Sequence, residues 1–381
     1  MGSPVLVDGN VASGATRYVP EKKIFYAGGY YYFFYSDGTN ICYRSSSDKV
    51  HWSSKNNTGW PAAQGNTFEV RFFPNYSSSY CYIAWIDTSG PAIYFCRGSI
   101  GSGTISWGTA YQVYSSGSAY PTVGFAVCVG CGTDGTVYVG FTIQNIVAHN
   151  FFTVYYDLNN DGSGSWTQCW TAYHGIGVSY YMYGTIQQLS GGYMLAVYSS
   201  VYTSCIYSKR GKGILWGAEV TAVSGTLNSL NFAAESWSTY CLIMWYNDAP
   251  YPLQAMLYTD GTGWGSVEYP FTTGNDGTWY PGDICCDGLG NSWLLYYSGS
   301  YIYVIERSSS ASYGTQTQLE TTTQDFTAPV CTESLVSGYI GFGWVLALPS
   351  PPPLYFDSYN TAPPPPPTVT THGDGLTWVV A

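Results

Sequence analysis

Charged side chains are scarce in this sequence. Asp, Glu, Lys and Arg make up only 9% of its 381 residues, against about 25% in an average soluble domain. The 12 Lys and Arg are scattered, and the formal net charge is −11. A nucleic-acid-binding surface needs clustered basic side chains that neutralise phosphates, so this composition excludes nucleic acid as a partner.

Long apolar runs and common catalytic motifs are also missing. No run of 18 apolar residues occurs, so we expect no membrane span. The first residues lack the basic and apolar regions of a signal peptide, and we expect none in this chain. There is no Gly-x-Ser-x-Gly, no P-loop and no dinucleotide fingerprint, which argues against serine hydrolases and nucleotide-binding enzymes.

Aromatic and small residues are abundant instead. The chain has 45 Gly, 39 Tyr, 16 Phe and 14 Trp, and 45% of its residues are hydrophobic. Aromatic and β-branched side chains suit strands that are buried on one face. The composition therefore predicts an all-β protein with enough apolar material for a core.

One pattern repeats along the whole chain. An apolar strand, a turn, an aromatic strand, a second turn and a third strand are followed by a small-residue loop that ends in an aromatic residue. We call these last residues the marker aromatics; they are Trp52, Trp107, Trp166, Trp216, Trp264, Tyr313 and Trp378. A period of about 50 residues with four short strands is typical of a propeller blade.

The repeat predicts a seven-bladed β-propeller of four-stranded antiparallel blades, with six blades as the alternative. A sandwich would not repeat its strand order seven times, and a solenoid would have shorter coils. We expect residues 1–381 to form one domain, with residues 349–371 as a proline-rich insertion in the last blade. Leu376–Ala381 is predicted to close the ring, and Pro4–Val7 competes for that position.

The loops before the marker aromatics carry a resemblance to a known family. Ser46–Trp52 reads Ser-Ser-Asp-Lys-Val-His-Trp, and Gly373–Trp378 reads Gly-Asp-Gly-Leu-Thr-Trp. These segments resemble the Asp-box, Ser-x-Asp-x-Gly-x-Thr-Trp, of the sialidase-type (BNR-repeat) propeller superfamily. The resemblance implies a propeller in which Asp-boxes are structural turns at the outside of each blade. It concerns the repeat rather than the catalytic residues.

Sialidases of this superfamily hold a carboxylate with three arginines and use a Tyr–Glu pair and an Asp, all near the propeller axis. The resemblance implies that such groups come from the starts of the innermost strands. The matching candidate ligand-binding residues are Arg17, Lys22, Glu69, Arg71, Tyr120, Tyr183, Glu235, Tyr280, Asp283 and Glu333.

The arginine set is incomplete for that chemistry. Arg17 and Arg71 fall at axial positions, whereas the other arginines considered sit at or after third strands, away from the axis. Those outer residues are Arg44, Arg97, Arg210 and Arg307. Because a carboxylate clamp depends on fixed guanidinium forks, we assign no catalytic residue.

Asp157, Asn159 and Asp161 match the start of a calcium loop, Asp-x-Asn-x-Asp-Gly. Gln168 stands where the closing Glu would be, and the same residues align with a blade turn. They are candidate calcium ligands, with a plain turn as the alternative. We expect no other cofactor.

The 11 cysteines give one disulfide candidate. Cys81 and Cys96 lie symmetrically about the Asp87–Gly90 turn, so we predict that they face each other across two strands. Cys128 and Cys131 form a Cys-x-x-Cys pair, but no second pair follows at zinc spacing. The other thiols are expected to be small core residues.

Low charge, many aromatics and an incomplete catalytic set favour a non-enzymatic propeller on the outside of a cell or on a virion. Aromatic faces stack on sugars and also form protein contacts. The expected partners are therefore glycans or other surface and virion proteins, including further copies of this chain, in adhesion or structural assembly. The alternative is a sialidase-like glycoside hydrolase, which two axial carboxylates about 5–10 Å apart would favour.

Overall fold

The computed structural model describes residues 4–12, 15, 21–61, 67–87, 92–115, 122–144, 149–176, 182–200, 202–225, 232–247, 253–271, 280–298, 301–321, 328–346, 350–361, 368–371 and 377–380. A single short 3-10 helix lies at Ser190–Gly192 within these ranges. None of these residues forms a helix that is long and apolar enough to cross a membrane. The rest of the regular structure is strand, as the composition predicts.

The strands, numbered along the chain, are β1 (Val5–Asp8), β2 (Ile24–Ala27), β3 (Tyr30–Ser36), β4 (Asn40–Ser46), β5 (Asn56–Pro61), β6 (Phe68–Phe72), β7 (Tyr80–Asp87), β8 (Ala92–Ile100), β9 (Ile105–Trp107), β10 (Tyr111–Ser115), β11 (Thr122–Cys131), β12 (Val137–Gln144), β13 (His149–Asp157), β14 (Thr167–Ile176), β15 (Met182–Gln188), β16 (Met194–Ser200), β17 (Cys205–Lys212), β18 (Leu215–Trp216), β19 (Val220–Ser224), β20 (Phe232–Trp237), β21 (Tyr240–Tyr246), β22 (Leu253–Thr259), β23 (Gly263–Trp264), β24 (Tyr280–Cys286), β25 (Ser292–Ser298), β26 (Tyr301–Arg307), β27 (Thr317–Thr321), β28 (Val330–Cys331), β29 (Tyr339–Val345), β30 (Leu354–Asn360), β31 (Thr368–Thr371) and β32 (Thr377–Val380).

These strands form seven antiparallel blades. Blade 1 is β2–β5, blade 2 is β6–β10, blade 3 is β11–β14, blade 4 is β15–β19, blade 5 is β20–β23, blade 6 is β24–β27, and blade 7 is β28–β30 with β1. The first strands of neighbouring blades contact one another, and β2 contacts both β6 and β28, so the ring is closed. The predicted seven-bladed propeller is confirmed.

The ring is closed by the N-terminal strand. β1 pairs with β30, with Val5 opposite Phe356 and Leu6 opposite Tyr355. The prediction that Leu376–Ala381 closes the ring was wrong, because β32 pairs with β31 in a separate two-stranded sheet. Pro4–Val7 and Leu376–Ala381 both have the residue pattern of a strand. The marker aromatic Trp378 favoured the incorrect one.

Part of the predicted proline-rich insertion, residues 349–371, belongs to blade 7. Residues 354–360 are β30, the third strand of blade 7. Pro352 and Pro353 are buried beside it, and the Pro352 carbonyl accepts a hydrogen bond from the Val11 amide at 3.1 Å. The second proline run, residues 363–367, lies outside the described residues.

The core lies between the blades. Each of seven hydrophobic clusters joins two neighbouring blades. Four marker tryptophans pack on a ring of the preceding blade, with centroids 5.0 to 6.2 Å apart: Trp52–Phe356, Trp107–Phe34, Trp166–Phe95 and Trp216–Tyr138. Glycine makes room for such contacts, since a Cβ at Gly184 of blade 4 would lie 2.5 Å from the Phe152 ring of blade 3.

Asp8 fastens the closing strand to blade 1. Its Oδ2 accepts hydrogen bonds from the Tyr35 hydroxyl at 2.6 Å and from Arg44 Nε and Nη2 at 3.1 and 2.9 Å. Asp8 is buried. We predict that Asp8→Ala lowers the free energy of unfolding by about 2–4 kcal/mol, because it leaves the guanidinium without its carboxylate.

Urea denaturation measures this loss. Asp8→Asn is the graded control, because its amide oxygen can still accept the tyrosine hydroxyl, and it should cost less. A change within about 0.5 kcal/mol for Asp8→Ala, the range of an ordinary surface substitution, would contradict the role assigned to this bond.

Candidate functional site

Buried charged side chains fill the axis of the ring. Lys22 precedes β2 of blade 1, Glu69 and Arg71 lie in β6 of blade 2, Glu235 in β20 of blade 5, and Asp283 in β24 of blade 6. Each is at most 5% exposed. The structure thus brings together five of the axial residues selected from the sequence. They come from four blades, because each blade directs its first strand to the axis.

Ion pairs connect these groups. Lys22 Nζ lies 2.5 Å from Asp283 Oδ1 and 3.0 Å from Glu235 Oε2. Arg71 Nη2 lies 2.9 Å from the same Glu235 oxygen. Burial lowers the pKa of Lys22, but Asp283 and Glu235 outweigh it and hold that pKa well above its usual range. Removing one partner from such a buried pair is strongly destabilising, because the other charge is left uncompensated.

Two of the carboxylates also bond the backbone of neighbouring blades. Glu69 accepts from the Lys22 amide at 3.2 Å and from the Val129 amide of blade 3 at 2.6 Å. Asp283 Oδ2 accepts from the Cys331 amide of blade 7 at 2.9 Å. These bonds satisfy amides that face the axis. The axial charges therefore align the inner strands as well as neutralise one another.

Sequence reasoning missed three buried axial residues, Glu21, Lys23 and Gln187. Lys23 Nζ lies 3.0 Å from Glu21 Oε2, and Arg71 Nη1 donates to Gln187 Oε1 at 3.2 Å. Consecutive charges at residues 21–23 look like a solvated turn. The available signal was that three adjacent charges are unusual in so uncharged a chain and directly precede an apolar strand.

An open pocket lies above the axial charges, with a volume of about 550 Å³, within the usual range of small-molecule sites. Phe73 and Trp237 supply aromatic wall, and Asn75, Gln188 and Ser238 supply polar groups. The pocket lies where inner strands end: Phe72, Gln188, Trp237 and Cys286 are the last residues of β6, β15, β20 and β24. The expectation of a site at the strand starts stays a prediction.

Arg71, Glu235 and Glu333 form the pocket floor. Arg71 Nε lies 3.3 Å from Glu333 Oε1 and 3.5 Å from Glu69 Oε1. The Glu333 carbonyl accepts from the Cys286 amide at 3.2 Å, which fixes the residue beside blade 6. Burial raises the pKa of Glu333 to about 8, although Arg71 opposes the rise. This carboxyl group is therefore mostly protonated at neutral pH.

The candidate tyrosines do not complete a catalytic set. Tyr183 packs against the core between blades 4 and 5 and does not line the pocket. Tyr280 is the first residue of β24, but its side chain is not among the described ones. Arg17 and Tyr120 lie outside the described residues. Among the pocket-lining residues that the structure describes there is one arginine and no tyrosine.

The outer arginines join blades, away from the axis as predicted. Arg44, Arg97, Arg210 and Arg307 bond Asp8, Asn160, Asp260 and Glu268, respectively. Each bond links two neighbouring blades. These arginines therefore bond across the interfaces between neighbouring blades and do not line the axial pocket.

The candidate calcium loop has the bonds of a turn. Asp157 Oδ1 accepts from the Asn159 amide at 2.8 Å, and Asp161 Oδ1 accepts from the Ser163 amide at 3.0 Å. Arg97 bonds the intervening Asn160, placing a cation beside the loop. Across the described ranges, no three His, Cys, Asp or Glu side chains are grouped to hold a metal. Calcium binding stays a prediction.

The two candidate disulfide cysteines are out of register. Cys81 lies opposite Gly98 and Cys96 opposite Ile83, so the register of the two strands is shifted by two residues from the predicted one. Diagonal neighbours of this kind are about 7–8 Å apart, beyond the usual reach of a disulfide. All 11 cysteines are free thiols, and nine of them are buried. The predicted bridge is not formed.

Comparisons with known proteins support the fold. No protein-family model matches the sequence, and no curated protein matches it. Two similar structures are the BP39L lectin of Burkholderia pseudomallei (TM-score 0.65, 10% identity, 91% of this chain and 97% of that one) and the polysaccharide lyase Uly1 (0.52, 10%, 93% and 92%). A Trypanosoma rangeli sialidase in complex with sialic acid matches at TM-score 0.49 and 10% identity, over 93% of this chain and 56% of that one.

At these identities the likeness concerns the β-propeller fold alone. The Asp-box resemblance therefore stays a prediction.

The raised pKa values predict how stability depends on pH. Burial raises the pKa of Glu21 to about 8, of Glu69 to about 7 and of Glu333 to about 8, from their usual 4.5. Between pH 4.5 and 8 the folded chain thus binds more protons at these groups than the unfolded chain does. We predict that the free energy of unfolding falls from pH 5 to pH 8, by up to about 1.4 kcal/mol per pH unit for each group.

Urea denaturation at pH 5, 6, 7 and 8 measures this slope. Glu333→Gln, which imitates the protonated carboxyl group, should make the slope shallower. Stability that rises over this range would contradict the protonation states assigned to the axis.

Proposed function

We propose that this protein is a non-enzymatic glycan-binding propeller and that its axial pocket holds the sugar. The observation that carries the proposal is the pocket of about 550 Å³ at the end of the axis, where an aromatic side chain borders a ring of amides and hydroxyls. Sugars combine apolar ring faces with hydroxyl groups. Pockets with mostly apolar walls and a few placed polar groups suit such ligands.

Trp237 is the central residue of this proposal. It is the last residue of β20, is 8% exposed, and packs against Tyr240 in a tilted arrangement at a centroid distance of 5.7 Å. Its indole Nε1 is buried without a hydrogen-bond partner. Beside the pocket, the ring suits a ligand that offers an apolar face.

The polar part of the pocket is already oriented. Asn75 Nδ2 donates to Gln188 Oε1 at 3.2 Å, and Gln188 Nε2 donates to the Cys131 carbonyl at 2.5 Å. Ser190, Ser236 and Ser238 add hydroxyl groups at the rim. Side chains that are held before binding lose less conformational entropy when a ligand arrives.

We further propose that the protein works on the outside of a cell or on a virion, in adhesion or assembly. Exposed apolar side chains such as Leu215, Leu289 and Tyr173, each at least 69% exposed, suit contacts with other surface proteins or a second copy. Burial raises the pKa of thiols such as Cys96, to about 12, and so protects them from oxidation there.

The second candidate is a sialidase-like glycoside hydrolase. Glu235 and Glu333 both contact Arg71 at the pocket floor, and Glu333, with a pKa raised to about 8 by burial, is protonated as a general acid must be. However, Glu235 Oε2 already bonds two cations, and a lone arginine is a poor clamp for a substrate carboxylate. Binding is therefore the better-supported function.

Trp237→Ala tests the binding proposal. We predict at least a tenfold loss of affinity for the glycans that the wild-type protein retains on a glycan array, because the substitution removes the aromatic wall. Affinities are measured by calorimetry. Trp60→Ala is the matched control: Trp60 lies in β5, stacked on Trp85, and does not line the pocket. Equal losses in the two variants would contradict the axial site.

We predict no turnover of a fluorogenic sialoside by the purified protein. Orienting the substrate carboxylate while charge develops at the anomeric carbon requires fixed guanidinium groups, and the described pocket supplies only Arg71. Turnover that disappears in both Arg71→Ala and Glu235→Gln would establish the hydrolase instead. Because both residues are buried, each variant is first tested for cooperative unfolding.

A further inference from the structure

The charged cluster at and beneath the floor of the axial pocket holds more acidic than basic groups. Its two cations are Lys22 and Arg71. Four carboxyl groups lie within 3.5 Å of one or both cations: Glu69, Glu235, Asp283 and Glu333. If all six groups were ionised, the cluster would carry two excess negative charges. Uncompensated charge in a buried site is costly, so the cluster favours an additional positive charge.

Glu333 is the carboxyl group that an incoming cation would meet. Glu69 and Asp283 bond backbone amides and do not line the pocket. Glu235 lines it, but one of its oxygens bonds Lys22 and Arg71, and the other accepts the Ser236 amide at 3.1 Å.

Glu333 makes fewer hydrogen bonds and ion pairs than Glu69, Glu235 and Asp283 do. Its Oε1 is buried, makes no hydrogen bond, and lies 3.3 Å from Arg71 Nε. Its side chain is 17% exposed, the most of the four. A ligand cation at the floor would therefore contact Glu333 first.

We propose that the axial pocket selects a glycan that carries a free ammonium group, such as an unacetylated amino sugar, and that this group pairs with Glu333. The inference rests on the glycan-binding function proposed above. Trp237 supports it, because an aromatic ring face attracts a cation. An acidic sugar would instead bring its carboxylate against Glu235, which like charge disfavours.

Binding of this ligand is linked to a proton. The groups that face Glu333 are Arg71, Glu235, Lys22 and Glu69, and burial among them leaves its carboxyl group protonated at neutral pH. When the ammonium group arrives, the carboxyl proton leaves to solvent and the resulting carboxylate accepts an ammonium N–H. Affinity for the amino sugar therefore rises from pH 6 towards pH 8, until the ligand amine itself loses its proton.

The test compares three probes of equal length: oligomers of glucosamine, of N-acetylglucosamine and of galacturonate. Calorimetry at pH 6.5, in two buffers with different ionisation enthalpies, reports affinity and proton release together. We expect the glucosamine oligomer to bind about tenfold tighter than the acetylated one, the scale of one charge-assisted hydrogen bond. The galacturonate oligomer should bind most weakly. Only the glucosamine oligomer should release a proton.

Glu333→Gln removes the titratable charge of the site while nearly preserving the shape of the side chain. The variant should bind the two hexosamine oligomers with equal affinity and release no proton. Glu306→Gln is the matched control, because Glu306 is exposed on β26 and does not line the pocket. Proton release by the wild-type protein needs no variant, so the inference stays testable if Glu333→Gln unfolds.

Two failures can be told apart. If the wild-type protein binds none of the three oligomers, both the glycan-binding function and this inference fail. If it binds the acetylated or acidic oligomer as tightly as the glucosamine oligomer, or if Glu333→Gln keeps the tenfold preference, only the inference about charge fails.

Discussion

The buried ion network of Lys22, Arg71, Glu235 and Asp283 is the constraint on which the ring depends. These groups are almost fully buried, and each charge is paired with a counter-charge on another blade. The geometry of one blade therefore fixes that of the next. Apolar packing at the axis would be less directional, whereas these bonds specify which first strands meet. The network also fixes the position of the pocket floor, because Arg71 and Glu235 belong to both.

Around the axis, the same two kinds of contact recur at the interfaces (seams) between neighbouring blades. Marker tryptophans pack on the preceding blade, and outer arginines bond an acidic or amide side chain of a neighbouring blade. Each blade is too thin to bury both of its faces alone, which explains why the core is divided among the seams. A chain with few charges thus uses them where they join blades: at the axis and along the outer seams.

The sequence predicted the blade number because the marker aromatics recur with the blade period. It also selected most of the axial charges, since inner-strand positions follow from that period. Ring closure could not be predicted, because β1 and the C-terminal residues have the same strand pattern, and long-range pairing decides between them. Glu21 and Lys23 were missed, because burial of a charge depends on partners far away in sequence.

Closure by β1 has a consequence for folding. β1 pairs with β30, which lies more than three hundred residues later in the chain. Such non-local contacts form slowly, since a long loop must be ordered before they stabilise anything. Until β30 has been synthesised, β1 has no strand to pair with. A helper that shields unpaired strands would matter most in this interval, which ends only when β1 meets β30.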